Sequence, residues 1–213
     1  MKGELFKKNA LRVIYDYKNE DVQKNIITGD SSCKLYLQAI TYKSIDDDVI
    51  KLLTKWRSEN QKGFTKIFSV TEESTKNWLY NLVMKREDRL LFFVFDETKK
   101  PIGHMGISSF DYENGSCEID NVVRGELSDQ RLLMQRASAN LIDWVRAVIK
   151  PESIKLRVLN DNSRALALYH KLGFAPVSLI PLVKHIGHDY VEWRIQQAAD
   201  EKIDRFFISM KLS

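Results

Sequence analysis

The chain reads as an α/β fold of the α+β type, and three features of the sequence say so. Three strand-like stretches follow one another directly, the second and third joined across Asn114-Gly115, a strong short hairpin signal that makes them an antiparallel meander. Leu133, Ala137, Leu141, Trp144 and Val148 recur at three- and four-residue steps, the period of a long amphipathic helix. After it, Ile154, Leu156 and Val158 alternate with Lys155 and Arg157 and run through a polar turn into a second helical pattern, so that a strand feeds a helix.

Taken in order, the first thirty or so residues are charged and show no clear periodicity beyond "LRVIYDY". Residues 1–34 are therefore expected as an appended arm of uncertain structure, and residues 35–213 as a single domain. "KLYLQAITY" opens that domain as a strand. "SIDDDVIKLLTKWRSENQ" reads as a helix capped by Ser44 or an early aspartate, with Val49, Leu52, Leu53 and Trp56 on one face. "TEESTKNWLYNLVMKRE" reads as another, with Thr71 and Ser74 offering a choice of caps and Trp78, Leu82 and Val83 an apolar side. The meander is "RLLFFVFDE", "KPIGHMGISSFDY" and "SCEIDNVVR". The long helix is expected from Ser128 or Asp129 to Lys150, where Pro151 stops it. Asn162 or Ser163 can cap the next, whose Ala165, Leu168, Tyr169 and Leu172 share a face and whose end is marked by Gly173. "FAPVSLIPLV" and "DRFFISMKLS" close the chain as strands, with Phe206, Ile208, Met210 and Leu212 on one face of the last.

Composition narrows the class. With 213 residues and 44% apolar content the chain can bury a substantial core. Its strongest apolar run, Leu90 to Phe95, is strand length, so no membrane span is expected, and the basic N-terminus has no apolar signal region, which makes the cytoplasm the expected location. Cys33 and Cys117 have no paired spacing and no Cys/His cluster accompanies them, so reduced thiols and no metal are expected. A net charge of +4 mildly favours anionic partners such as phosphorylated cofactors or nucleotides, while nothing resembles a basic nucleic-acid-binding helix.

The stretch "NDNSRALALYHKLGF", Asn160 to Phe174, together with the order of elements over residues 35–213, resembles the GNAT superfamily of CoA-dependent N-acyltransferases. The resemblance implies a GNAT-like mixed, mostly antiparallel sheet with helices on both faces and a central strand pair that splays apart to admit a thioester. Within that superfamily "LLTKWRSENQKGF…TEESTKNWL" and "DNVVRGE…LLM" resemble acyltransferases acting on nucleotide-linked amino sugars in bacterial surface-polysaccharide pathways, with Ser58 where asparagine is usual.

For the cofactor, the resemblance gives Asn162 a role in holding the CoA pantetheine or phosphate arm, with Arg164 in the same signature. The backbone of Asn121, Val122 and Val123 would pair with the pantetheine amides, and the N-terminus of the long helix would receive the pyrophosphate, with Arg124, Gln130 and Arg131 adding charge. The usual Q/R-x-x-G-x-G/A of that turn reads Asp129-Gln130-Arg131-Leu132-Leu133-Met134 here, so Leu132 and Met134 replace both small residues.

For the chemistry, the resemblance places Tyr169 near the thioester sulfur as acid or thiolate stabiliser, against the competing reading of a core aromatic. Glu118, Asp120 and His104 are candidates for taking the amine proton directly or through water, and proximity alone can also serve. Trp56, Arg57, Phe64, Phe68, Trp78 and His104 offer an acceptor site of stacking surfaces and a cation, although tryptophans at helical spacing equally read as core.

The function expected is transfer of a short acyl group, acetyl or a larger one such as 3-hydroxybutanoyl, from acyl-CoA to the amine of a dTDP- or UDP-linked amino-deoxy sugar. The alternatives are the same chemistry on an aminoglycoside, polyamine or protein amine, or a non-catalytic binding module. A homo-oligomer is left open.

Overall fold

A computed structural model describes residues 2–19, 25–30, 33–128 and 132–213. The chain begins with α1 (Lys2–Asn19), β1 (Asn25–Asp30), β2 (Cys33–Ala39), α2 (Asp47–Glu59), β3 (Lys66–Phe68) and α3 (Glu72–Trp78). The meander β4 (Leu90–Phe95), β5 (Pro101–Asp111) and β6 (Ser116–Arg124) follows, then α4 (Leu133–Trp144), β7 (Ser153–Leu159) and α5 (Ser163–Lys171). The chain closes on β8 (Phe174–Ile186), β9 (Tyr190–Ile195) and β10 (Ile203–Leu212). The strands make one sheet in the order β1-β2-β4-β5-β6-β7-β10-β8-β9-β3.

Every neighbouring pair is antiparallel except β6 and β7, which pair in parallel only at Ser116↔Ser153, Cys117↔Ile154 and Glu118↔Lys155. Beyond Glu118 the two strands separate, and the rest of β6 has no partner on that side. This is the mixed, splayed sheet the sequence leads one to expect.

The apolar run of β4 explains why helices cover both faces. Leu90, Phe92 and Val94 enter a core shared with α1, α4 and α5, while Leu91 and Phe93 enter a second core under α2 and α3. A strand buried on both sides has no polar face to alternate with.

Within the expected arm, α1 buries Phe6, Val13 and Ile14 in the first core, and its Tyr17 hydroxyl accepts a hydrogen bond from Trp144 Nε1 at 3.1 Å. Lys18, at the end of α1, is buried and donates to the carbonyls of Val83, Met84 and Arg86.

Helix caps agree with the sequence. Asp46 accepts from the Val49 amide at 2.8 Å, and Thr71 and Ser74 cap one another's backbone reciprocally. Two helix faces differ from expectation because α3 and α4 each run on into a π-helical turn, at residues 79–84 and 145–149. The wider turn brings Leu79, Val83 and Met84 inward and leaves Leu82 53% exposed, and it buries Val145 and Ile149 in preference to Trp144 and Val148.

α4 begins at Leu133, later than expected; residues 129–131 lie outside the described residues. The meander turn spans Tyr112–Gly115, with only Gly115 at positive φ, and the Asp111 carboxylate accepts from the Asn114 amide at 3.0 Å. Strands β1, β3 and β9 have no counterpart in the sequence reading.

Candidate active site

Two cavities open beside the free end of β6. The larger, about 1330 Å³, lies where β6 and β7 part; the smaller, about 740 Å³, lies under α2, α3 and the β8–β9 hairpin. Gln61 and Phe64 line both, so the two spaces adjoin. Val122 and Val123 face the larger and Asn121 the smaller.

That switch follows from a bulge. The register of β5 with β6 slips between His104 and Gly106, and Asn121 takes up the extra residue at φ 52°. Its carbonyl is thereby turned onto His104, which donates from Nδ1 at 2.8 Å.

The larger cavity gathers most of the residues expected around the cofactor. Arg124, Leu132, Leu133 and Met134 line one side, and Asn162, Arg164 and Tyr169 the other. Asn162 Oδ1 caps α5 by accepting from the Ala165 amide at 3.1 Å, and the same side chain lines the cavity.

Leu132 holds φ 61°, ψ 19°, the left-handed conformation that glycine adopts freely, and no side chain caps the helix that follows. The first helical bond here is taken by the Arg136 amide on the Leu132 carbonyl at 2.9 Å, and the amides of Leu133, Met134 and Gln135, which line the cavity, have no helical acceptor among the described residues. The backbone thus offers what a pyrophosphate needs without the expected glycine. Asp129, Gln130 and Arg131 lie outside the described residues.

Tyr169 is buried on α5, edge-on to Phe174 at 6.0 Å, and among the described residues its hydroxyl has no hydrogen-bond partner. Burial, with the Asp120 charge second, pushes its pKa well above the ordinary tyrosine value.

The smaller cavity contains Arg57, Phe64, Phe68, Trp78 and His104, all expected at an acceptor site. The Arg57 guanidinium lies over the Trp78 ring at 4.4 Å, and burial holds its pKa down to about 10. His104 is fully buried, its ring 6.1 Å from Trp56 and 6.3 Å from Trp78, and burial lowers its pKa to about 4 with the Arg57 charge adding to the effect. Among the described residues its Nε2 has no hydrogen-bond partner.

Three expected residues stand elsewhere. Trp56 is 0% exposed in the core under α2, lines neither cavity, and donates from Nε1 to Glu126 at 3.0 Å; Gly125 lies so close to its ring that no Cβ would fit. Glu118 is taken by Arg157, which reaches it with Nε at 3.1 Å and Nη2 at 3.0 Å. Asp120 accepts from the Ser108 hydroxyl at 3.0 Å and from the Asn121 amide at 2.7 Å, and pairs with Arg89 at 3.6 Å. Both carboxylates are tied into the sheet and line neither cavity, so the structure does not place them as bases.

Lys66 and Tyr190 in the smaller cavity were not anticipated. They come together because β3 pairs with β9, Phe68↔Tyr190 and Lys66↔Glu192, and the Lys66 ammonium lies 4.3 Å from the Tyr190 ring centroid. The alternation of Val191, Trp193 and Ile195 with Glu192 and Arg194 marks β9 in the sequence, but nothing there pairs it with a three-residue strand.

Among the described residues no group of three or more His, Cys, Asp and Glu could hold a metal ion, and no helix is long and apolar enough to cross a membrane.

Comparison with known proteins gives the family. No curated protein matches the chain. Among solved structures, spermidine N-acetyltransferase from Vibrio cholerae, in complex with CoA and spermine, is similar at 18% identity and TM-score 0.60 over 84% of this chain and 94% of that one. A GCN5-related N-acetyltransferase from Brucella melitensis is similar at 16% identity and TM-score 0.65, over 92% and 80%. FdhC, a nucleotide-linked sugar GNAT in its apo form, is similar at 16% identity and TM-score 0.55, over 75% and 84%. Identities this low speak for the fold alone. The profile of the Acetyltransferase (GNAT) domain matches residues 34–175, most of the chain, and the protein therefore belongs to the GNAT acetyltransferase family and is a CoA-dependent N-acyltransferase.

Proposed function

We propose that the protein transfers a short acyl group from acyl-CoA to the amine of a nucleotide-linked amino-deoxy sugar. The observation that carries this is Arg57: a guanidinium held over Trp78 in the smaller cavity, with no carboxylate partner among the described residues. A half-buried cation without a counter-ion is suited to an anion brought by the ligand. Phe64, Phe68, Trp78 and Tyr190 supply faces for a base or sugar, and Lys66 a second cation. Among the described residues Asp189 is the one acidic side chain lining that cavity, a poor match for a polyamine.

The cofactor supplies an acyl group already activated as a thioester. The amides of Leu133, Met134 and Gln135 receive its pyrophosphate, Arg124 and Arg164 add charge, and Val122, Val123 and Asn162 hold its arm between β6 and α5. Tyr169 donates a hydrogen bond from its hydroxyl to the departing sulfur. With its pKa raised far above the thiol range of about 8.5, it acts through a hydrogen bond and keeps its proton.

Calorimetric titration of the protein with CoA, dTDP, UDP and spermine tests the reading. Saturable binding of CoA and of one nucleoside diphosphate is expected. Spermine binding with no nucleotide binding would overturn the sugar-nucleotide acceptor.

A further inference from the structure

His104 is the one fully buried ionisable ring in the acceptor cavity, and its two nitrogens are in different states. Nδ1 faces the Asn121 carbonyl at 2.8 Å; a carbonyl oxygen only accepts, so Nδ1 carries the proton and Nε2 a bare lone pair. The bulge at Asn121 aims that carbonyl, and the same strand turns Val122 and Val123 to the adjoining cavity one step later. Nε2 has no donor within reach among the described residues. Trp56, whose ring centroid lies 6.1 Å from that of His104, has its Nε1 committed to Glu126. A buried acceptor left without a donor is uncommon in folded proteins and calls for one from a ligand.

We propose that His104 Nε2 accepts a hydrogen bond from the attacking amine of the acceptor, holding that amine neutral with its lone pair toward the adjoining cavity. The proposal rests on the acyltransferase reading of this site; the nucleotide half of the acceptor is separate from it. Acylation forms one N–C bond, breaks one C–S bond with the electron pair left on sulfur, and releases one amine proton, which passes through solvent to the thiolate so that the products are the amide and the CoA thiol. His104 is not that proton's carrier: an imidazolium would stand buried, facing Arg57 of α2 and Lys66 of β3, with only Asp189 across the cavity as an acid. The ring positions the amine and selects its neutral form, because a dry place already holding the Arg57 and Lys66 cations favours an N–H dipole over a further positive charge.

Two measurements test this. In nitrogen-15 spectra of histidine-labelled protein, one of the four rings should stay locked with Nδ1 protonated and not titrate between about pH 5.5 and 8. That signal should vanish in His104→Phe. A His104 that titrates normally, or that carries its proton on Nε2, overturns the proposal. In kinetics with whichever amine the protein acylates, from a panel of dTDP- and UDP-linked amino sugars, spermine and an aminoglycoside, His104→Phe should lower kcat roughly 10- to 100-fold with CoA affinity little changed, and should lower the melting temperature because the Asn121 carbonyl loses its donor. His104→Gln, whose carbonyl oxygen can stand near Nε2, should recover part of the loss. Wild-type kcat in a folded His104→Phe overturns the proposal. Failure to bind dTDP or UDP, with the locked ring and the kcat loss intact, overturns the sugar-nucleotide reading alone.

Discussion

Arg57 lies with its guanidinium carbon 4.4 Å from the Trp78 ring centroid and 6.0 Å from that of Phe68, while Nη1 reaches the Thr75 hydroxyl at 3.4 Å. The two rings hold the cation by its face, which leaves its N–H edges for a ligand in the cavity. At a pKa of about 10 the group remains charged at neutral pH.

Arg57→Ala should therefore raise the KM for the acceptor and leave CoA affinity unchanged. A charge-assisted hydrogen bond contributes about 1.5–3 kcal/mol, so the rise should be roughly 10- to 100-fold. Arg57→Lys should recover little, because an ammonium cannot stack flat on Trp78. Steady-state kinetics with each substrate varied in turn checks this; an unchanged acceptor KM with a lowered melting temperature would make Arg57 a packing residue.

Tyr169→Phe removes a hydroxyl that bonds to nothing else among the described residues. Stability should hold within about 0.5 kcal/mol, since nothing is left unpaired. If the hydroxyl meets the sulfur, kcat should fall about 100-fold with CoA binding unchanged, as read by rapid-quench turnover and calorimetry. Unchanged turnover would return Tyr169 to the core.

How much of this was legible in the sequence depends on what each feature needed. The meander was legible because β4, β5 and β6 are set by local signals, an apolar run and a hairpin turn. Arg57 was legible because its neighbours in the sequence did not explain it as packing. Trp56 was ambiguous: helical spacing gives the same pattern whether a tryptophan faces core or ligand, and the close approach of Gly125 to its ring is a tertiary fact. Glu118 and Asp120 looked available because their partners, Arg157, Ser108 and Arg89, come from other strands or loops. The π-helical turns were invisible, since a residue's shift round a helix leaves no mark in composition.

Leu132 offers a direct test of the cofactor turn. A non-glycine residue in the left-handed region costs about 1–2 kcal/mol, and this side chain is 56% exposed, so little packing offsets it. Leu132→Gly should keep or raise stability, by up to about 1 kcal/mol, and should tighten CoA binding. Leu133→Gly, which empties a buried site one residue on, should lose about 2–5 kcal/mol. Chemical denaturation and calorimetry read both; a Leu132→Gly that weakens CoA binding would mean that the leucine side chain itself holds the cofactor.

Glu118→Gln and Asp120→Asn should leave the pH dependence of kcat where the wild type has it, because both carboxylates are held by partners outside the two cavities. The Glu118–Arg157 pair is partly exposed, so its loss should cost under about 1 kcal/mol. A shift of the rising limb in either variant would restore that residue as the base.

Lys18 couples stability to pH with an unusual sign. Burial lowers its pKa from 10.5 to about 8, partly opposed by Asp88. Below pH 8 both folded and unfolded chains carry the proton, and the folded state bears the full cost of the buried charge. Between about pH 8 and 10.5 the unfolded chain binds more protons than the folded one, so stability rises with pH across that window, by about 3 kcal/mol if the window is crossed completely. The neutral amine can still donate to two of the three carbonyls of Val83, Met84 and Arg86, so the tie between α1 and the end of the π-helical turn survives. Urea unfolding from pH 7.5 to 9.5 should show this rise in the wild type relative to Lys18→Met, whose curve lacks the group. Tyr36 and Tyr112, both raised by burial, act in the opposite direction above pH 10, which is why the comparison stops short of it. Parallel curves for the two proteins would mean that Lys18 titrates as an exposed lysine, and that α1 is held by its apolar face alone.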